Sequence, residues 1–326
     1  MKSRLPKVLH SIAGKPLVIH TIENVSAVIT EKPVLVVGCG SDQVRSIVGS
    51  QVRYAEQVTQ LGTADALKAA RSVLEGFDGL IVVVSADMPL FTTRTLQKLV
   101  DTQRSNPGVM TMLSVCHDDP HGFGRVVRKV DGSVAAIVEE AQADAETLAI
   151  KELNVGAYCF RSDWIWGALD RIKVSPKGEY YLTDTVELAV SENQRVECLQ
   201  VEDPQEAIGI NTRVHLAEAE AILRRRINQA WMLAGVTLRD PETIFIEQDV
   251  QLSPDTIIHP GCHLTGNTRV GSGCEIGPSS VLFNANIEEN CVAGPHAILR
   301  NIHLEANQVV RFCMLEGTID SEEVKH

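Results

Sequence analysis

The strongest constraint on the fold is a six-residue repeat towards the C-terminal end. Leu252, Ile258, Leu264, Val270, Ile276 and Leu282 recur every sixth residue without a miss, with small, polar or turn residues in most positions between them. After one slip, Val292, Ile298, Leu304 and Val310 resume the period. A period of six matches neither an α-helix nor the simple alternation of a plain strand. It matches a parallel β-helix, in which each hexad forms one flat side of a prism and its aliphatic residue points inside. A sandwich of short strands would not explain six successive hits at one spacing.

The 326 residues give room for a second domain and a sizeable core. Aromatics are only 4% of the chain, so aliphatic side chains must build most of that core. A formal net charge of −12 argues against a general nucleic-acid surface, which needs basic patches, but leaves room for a phosphate-bearing small substrate. No apolar run approaches the roughly 18 residues of a membrane span, and no apolar leader opens the sequence. Cys39, Cys116, Cys159, Cys198, Cys262, Cys274, Cys291 and Cys313 include no CxxC pair. They read as reduced, mostly buried thiols of a cytoplasmic protein.

Before the hexads, short apolar runs alternate with amphipathic stretches. Val34–Val37 and Ile81–Val84 read as buried parallel strands, and Thr63–Leu74 between them has helical spacing. That order predicts an α/β sheet with helices on both faces. Asp118–Gly122 and Gly132-Ser133 are turn-like. Arg213–Leu233 predicts a long helix, closed by Gly235, that reads as a rod between two domains. The expected boundaries are residues 1–212, a linker helix 213–235, and a β-helix over 236–326.

Several segments can carry chemistry. Asp87, in Ser-Ala-Asp-Met-Pro-Leu after the strand at 81–84, lies where open α/β sheets bind ligands. A carboxylate there suits Mg²⁺, and equally suits a turn or helix cap. Lys7 follows Pro6 on a stiff segment that can hold a point charge against phosphate, or simply be exposed. Gln57 with Gly62 and Thr63 forms a polar turn opening a helix, where backbone and amide groups can meet a nucleobase edge. Gly124, Glu139, Asn154, Tyr181 and Thr183 offer groups suited to sugar hydroxyls or an acetamido group; each alone is also explained as a turn or a buried polar network.

Taken in order, the stretches LPKVLHSIAGKPL, EQVTQLGTADAL, SADMPL, GFGRVVR, IVEEA, ELNVGAY, KGEYYLTD, AIGINTR and AGVTLRDP, followed by hexads, carry a resemblance. The chain resembles the bacterial bifunctional N-acetylglucosamine-1-phosphate uridylyltransferase / glucosamine-1-phosphate acetyltransferase family, from its first residues to about Arg300. The resemblance implies a Rossmann-like nucleotidyltransferase sheet followed by a left-handed β-helix. It implies UTP and N-acetylglucosamine-1-phosphate as substrates, Mg²⁺ as cofactor and a homotrimer as the assembly. Residue by residue, it implies that Asp87 and Asn211 hold Mg²⁺ and that Lys7 contacts phosphate. Gln57, Gly62 and Thr63 would read uracil, while Gly124, Glu139, Asn154, Tyr181 and Thr183 would surround the sugar.

The sequence departs from the family's pattern in three places. The family has a strand and a glycine-rich loop, L-x-x-G-x-G-T-R, immediately before the segment matching Met1. The expectation is therefore that Met1 is an internal methionine taken as the start, and that an interior strand's place in the sheet stands open. The family's acetyltransferase half needs more coils and a catalytic histidine; His296 and His303 do not match it and read as surface residues, so acetyl transfer is not expected. Glu140-Ala141 replaces a segment in which the family usually has a lysine. The alternatives to a uridylyltransferase for N-acetylglucosamine-1-phosphate are an enzyme for another sugar-1-phosphate, such as glucose-1-phosphate, and a non-catalytic remnant serving as a binding or oligomerisation module.

Overall fold

The computed structural model describes residues 1–38, 41–118, 122–312 and 314–317. Cys39, Cys313 and positions 119–121 of the turn expected at Asp118–Gly122 lie outside the described residues. The chain divides into two compact units, one of residues 1–10 and 16–212, the other of residues 11–15 and 213–326.

The first unit is an α/β sheet built in two parts. Strands β1 (Val34–Gly38) and β2 (Arg53–Gln57) pair in parallel as a separate two-stranded sheet. The larger sheet holds β3 (Leu80–Val83), β4 (Met110–Cys116), β5 (Arg125–Arg128), β6 (Val134–Val138), β7 (Glu152–Arg161) and β8 (Val196–Gln200). Its order is β8-β4-β7-β5-β6, with β3 pairing antiparallel to the C-terminal half of β7. The long strand β7 is its spine: Leu153, Val155, Ala157, Cys159 and Phe160 are fully buried, as the interior of a sheet covered on both faces requires.

Helices cover both faces. α1 (Leu17–Ser26) and α4 (Thr93–Ser105) pack together, and Leu80, Val82 and Val84 join the cluster that holds α4's Leu96, Leu99 and Val100. Ile81 and Val83, pointing the other way along β3, join Leu67 of α3 (Thr63–Ala69), Ile165 of α5 (Ser162–Leu169) and Val186 of α6 (Asp184–Ser191). α2, in the same count, is Asp42–Val48. The helix expected over Thr63–Leu74 is regular only to Ala69, and continues to Leu74 as successive turns.

The second unit is a parallel β-helix. Its two- and three-residue strands stack as three parallel sheets, the sides of a prism. Ile258 pairs with Ile276 eighteen residues on, three hexads per coil. Leu252, Ile258, Leu264, Val270, Ile276 and Leu282 are all buried in one cluster. Beyond the slip the inward positions are Ile287, Ala293 and Leu299, and a second short turn then brings in Leu304 and Val310. The expected Val292 and Ile298 are therefore one residue out of register: they lie on the outer face, half-buried, beside the inward Ala293 and Leu299. The physical reason is that corners at Asn284 and Asn301 each use one residue fewer than a full hexad. Both asparagines adopt positive φ, 49° and 51°, and the Asn284 Nδ2 donates to Asn301 Oδ1 at 3.2 Å. α7 (Arg213–Leu233) belongs to this unit, packing on the first coils through Asn228, whose Nδ2 donates to the carbonyls of Pro241 and Ile244. Rather than a bare rod, it covers the open end of the prism, as Ile227 and Trp231 join the β-helix core.

Among the six described cysteines, Cys159, Cys262, Cys274 and Cys291 are buried, Cys198 is half-buried and Cys116 is exposed. Burial pushes the Cys159 thiol up to about 12 and the Cys198 thiol up to about 11, so both are held as thiols. His296 and His303 are exposed.

Candidate active site

The site sits where β3 ends. A hydrophobic strand in a covered sheet exposes its first polar groups only past its C-terminal end, and here those are Ser85 and Asp87. The Ser85 hydroxyl donates to Asp87 Oδ1 at 2.5 Å, and the Asp87 carbonyl accepts from Ile210 N–H at 3.0 Å. Lys7, in the single 3-10 turn Lys7–Leu9 after Pro6, places its ammonium between two distant side chains. It pairs with Asp87 Oδ2 and donates to Asn211 Oδ1 at 2.9 Å. Segments separated by 80 and 204 residues are thus joined through one cation.

That convergence tests the site for Mg²⁺. Asp87 and Asn211 direct a carboxylate and a carboxamide oxygen at one position, where the Lys7 ammonium now balances the charge. Both are hard oxygen donors, and Mg²⁺ is commonly held by one or two such groups with substrate phosphates completing the shell. The residues fit the ion. Among the described residues no group of three or more His, Cys, Asp or Glu side chains forms a closed metal cage.

A cavity of about 900 Å³ opens beside this cluster, within the same unit. Asp87, Asn211, Thr63, Gly124, Glu139, Asn154 and Thr183 line it. Glu139 lies just past β6, and its Oε1 accepts from the Thr183 hydroxyl at 2.8 Å. Asn154 is buried on β7, where its Nδ2 donates to the Tyr158 hydroxyl at 2.8 Å and its N–H donates to the Gly124 carbonyl at 2.8 Å. A Cβ at Gly124 would stand 2.9 Å from Ile137 Cγ2, so a side chain there would push against β6. Burial is the main force raising the Tyr158 hydroxyl above its ordinary range, which keeps it a neutral partner for the Asn154 amide.

Lys7, Gln57, Gly62 and Tyr181 do not line the cavity, although Lys7 reaches it through Asp87 and Asn211. Gln57, at the end of β2, donates from Nε2 to the Gly62 carbonyl at 3.1 Å and to Asp65 Oδ2 at 2.8 Å. Gly62 precedes α3 with φ 108°, against the backbone of Tyr180. The Thr63 hydroxyl accepts from Leu182 N–H at 2.9 Å, tying the Gln57–Thr63 turn to the Tyr180–Asp184 segment. Ser85, Tyr158 and Asp65 were not singled out from the sequence. Ser85 and Asp65 each sit two residues from a candidate, the only sequence signal that marks them, and Tyr158 looks like any core aromatic.

A family model described as nucleotidyl transferase matches residues 2–232. The chain belongs to the nucleotidyl transferase family. A second model, bacterial transferase hexapeptide (six repeats), matches residues 249–284, and with the stacked sheets it makes the second unit a left-handed β-helix. Among curated relatives, "Bifunctional protein GlmU" of Exiguobacterium sibiricum is 41% identical over 89% of this chain and 65% of its own length. The protein of the same name from Geobacillus thermodenitrificans is 41% identical over 88% of this chain and 63% of its own length. This nucleotidyl transferase thus spans a little under two thirds of those relatives. No helix among its described residues is long and apolar enough to cross a membrane.

Proposed function

We propose that this nucleotidyl transferase joins UTP to N-acetylglucosamine-1-phosphate, forming UDP-N-acetylglucosamine for cell-wall precursor synthesis and releasing diphosphate. The observation that carries the reading is the convergence of Lys7, Asp87 and Asn211 beside a pocket bearing Glu139, Asn154 and Thr183. A phosphate oxygen of the sugar phosphate attacks the α-phosphorus of UTP in line, and the bond to the diphosphate breaks. Asp87 and Asn211 would hold Mg²⁺, which supplies charge neutralisation on the phosphates when bound. Lys7 swings from that carboxylate to a phosphate oxygen, a short move for a flexible, partly exposed side chain. Gln57, Gly62 and Thr63 hold the uracil, while Gly124, Glu139, Asn154, Tyr181 and Thr183 hold the acetamido sugar. The protein's own contribution is positioning and fixed charge rather than covalent chemistry. We place the enzyme in the cytoplasm, where both substrates are, and assembled as a trimer through β-helix faces.

The test is diphosphate release from UTP, N-acetylglucosamine-1-phosphate and Mg²⁺, beside a panel of other sugar-1-phosphates including glucose-1-phosphate. Release with the acetamido sugar, lowered roughly 100-fold or more by Asp87→Ala, is the expected result. A preference for another sugar would reassign the pocket. No release under any pairing would favour a non-catalytic binding or oligomerisation module.

A further inference from the structure

The hydrogen bonds around Gln57 leave its side chain only one orientation. Gln57 ends β2, where pairing with Gly38 of β1 fixes its backbone. Its Nε2 donates to the Gly62 carbonyl at 3.1 Å and to Asp65 Oδ2 at 2.8 Å. A carboxamide nitrogen carries two hydrogens, so both are committed. The partners are a carbonyl oxygen and a carboxylate, and neither has a hydrogen to give. Turning the amide over would set Oε1 against both oxygens with no hydrogen between them. Oε1 is therefore kept as the amide's acceptor.

Both partners are themselves held in place. Gly62 stands at φ 108°, and its carbonyl also accepts from Ala66 N–H at 3.1 Å. On either side of it, Tyr180 N–H donates to the Leu61 carbonyl at 2.7 Å, and Ala64 N–H donates to the Tyr180 carbonyl at 3.0 Å. Asp65 is half-buried in the first turn of α3. Its carboxylate makes the charge-assisted bond of the pair, the stronger of the two.

We propose that Asp65 is a positioning residue for the nucleobase: it fixes the Gln57 amide with Oε1 as the acceptor, so that the site selects a pyrimidine carrying N3–H. Uracil has that hydrogen. Cytosine has a lone pair at the same position, which would face the lone pairs of Oε1. A glutamine on its own can read either base, because exchanging its oxygen and nitrogen by rotation needs no extra space. The Asp65 carboxylate removes that freedom. Without it, the Gly62 carbonyl alone holds the amide, and a turned amide can donate to cytosine N3. This role rests on the reading of Gln57 as a uracil contact and adds to it the residue that decides which base Gln57 accepts.

The test is equilibrium binding of UTP, CTP and N3-methyl-UTP, each with Mg²⁺, to the full chain by calorimetry, so that no turnover is required. The parent should bind UTP at least about tenfold more tightly than either of the others, as one hydrogen bond made rather than left unmade requires. Asp65→Ala should bring UTP and CTP to within about threefold of each other, with N3-methyl-UTP still weak. Asp65→Asn, whose amide oxygen can still accept from Gln57 Nε2, should retain the parent's ratio. In the diphosphate assay, the loss in Asp65→Ala should fall on KM for UTP rather than on kcat. A UTP-to-CTP ratio unchanged in Asp65→Ala, with only a lower melting temperature, would make Asp65 a structural residue of α3 and overturn the proposal. So would equal binding of UTP and N3-methyl-UTP by the parent, a comparison that depends on no variant's folding, or binding of none of the three. The uridylyltransferase reading fails on a different result, an absence of diphosphate release while the base discrimination stays intact.

Discussion

Lys7 shows what a single residue does here. Its ammonium bridges Asp87 and Asn211, so two oxygen groups that would otherwise crowd one another share a cation. Lys7→Ala is expected to lower turnover roughly 100-fold in the diphosphate assay while leaving the melting temperature nearly unchanged, because the pair is partly exposed. Asp184 offers a second test. Its carboxyl, in the first turn of α6, is pushed up to about 6, by burial first and then by Glu187 and Glu139. Folded protein therefore keeps this proton to about pH 6, whereas the unfolded chain releases it near 3.8. The group's contribution to stability is full below about pH 4 and is lost as pH rises to about 6. Asp184→Asn should match the parent near pH 4 and exceed it above pH 6, by about 1 kcal/mol after allowance for partial exposure. Urea denaturation of both proteins from pH 4 to 7.5 measures this, and parallel curves would reject it. Asp87 and Lys7 were visible in the sequence only as motifs in a recognisable order. No local pattern connects positions 7, 87 and 211, since only the folded sheet brings them together.

At the scale of elements, the hexad carries more information than its aliphatic position. Two residues before each inward aliphatic from Ile258 to Leu299 stands a small buried one: Thr256, Cys262, Thr268, Cys274, Ser280, Ala285, Cys291 and Ala297. Several reach a carbonyl further along the coils, as Cys274 Sγ does to Glu288 and Ser280 Oγ to Gly294 at 3.0 Å. Three cysteines that spacing alone left as generic buried thiols are thus members of the repeat. The register beyond Leu282 was not legible, because a corner that drops one residue leaves Val292 and Ile298 looking as suitable as Ala293 and Leu299. Ile276 is fully buried midway along the stack, and Ile276→Ala should cost about 2–5 kcal/mol, read by denaturant melts and by earlier proteolysis of the second unit. Gly62 is the corresponding weak point of the first unit. An alanine there would adopt φ 108° with its Cβ 2.5 Å from the Tyr180 carbonyl oxygen, which already accepts from Ala64 N–H. Gly62→Ala should lower the melting temperature by several degrees and raise the KM for UTP more than it changes kcat.

For the molecule as a whole, the alternation of strands and helices foretold the α/β unit, and the period of six foretold the prism. The antiparallel pairing of β3 with β7 was not legible, since β3 reads as an ordinary buried parallel strand whichever neighbour it has. Assembly is the remaining property of the whole, and the β-helix suggests how to test it. One side of the prism carries an outward column of Phe245, His263, Val281, Ile298 and Met314, aligned by the strand register. The equivalent column on another side is Gln251, Arg269, Asn286 and His303, polar throughout. A stripe apolar but for His263, beside a polar one, favours burial against another copy. Sedimentation should find the parent chain as a trimer, and a Val281→Lys, Ile298→Lys double variant as monomer. Both side chains point away from the prism's core, so the variant should keep the parent's circular dichroism. An unchanged sedimentation coefficient in the double variant would exclude this side as the contact, and a monomeric parent would remove the trimer itself.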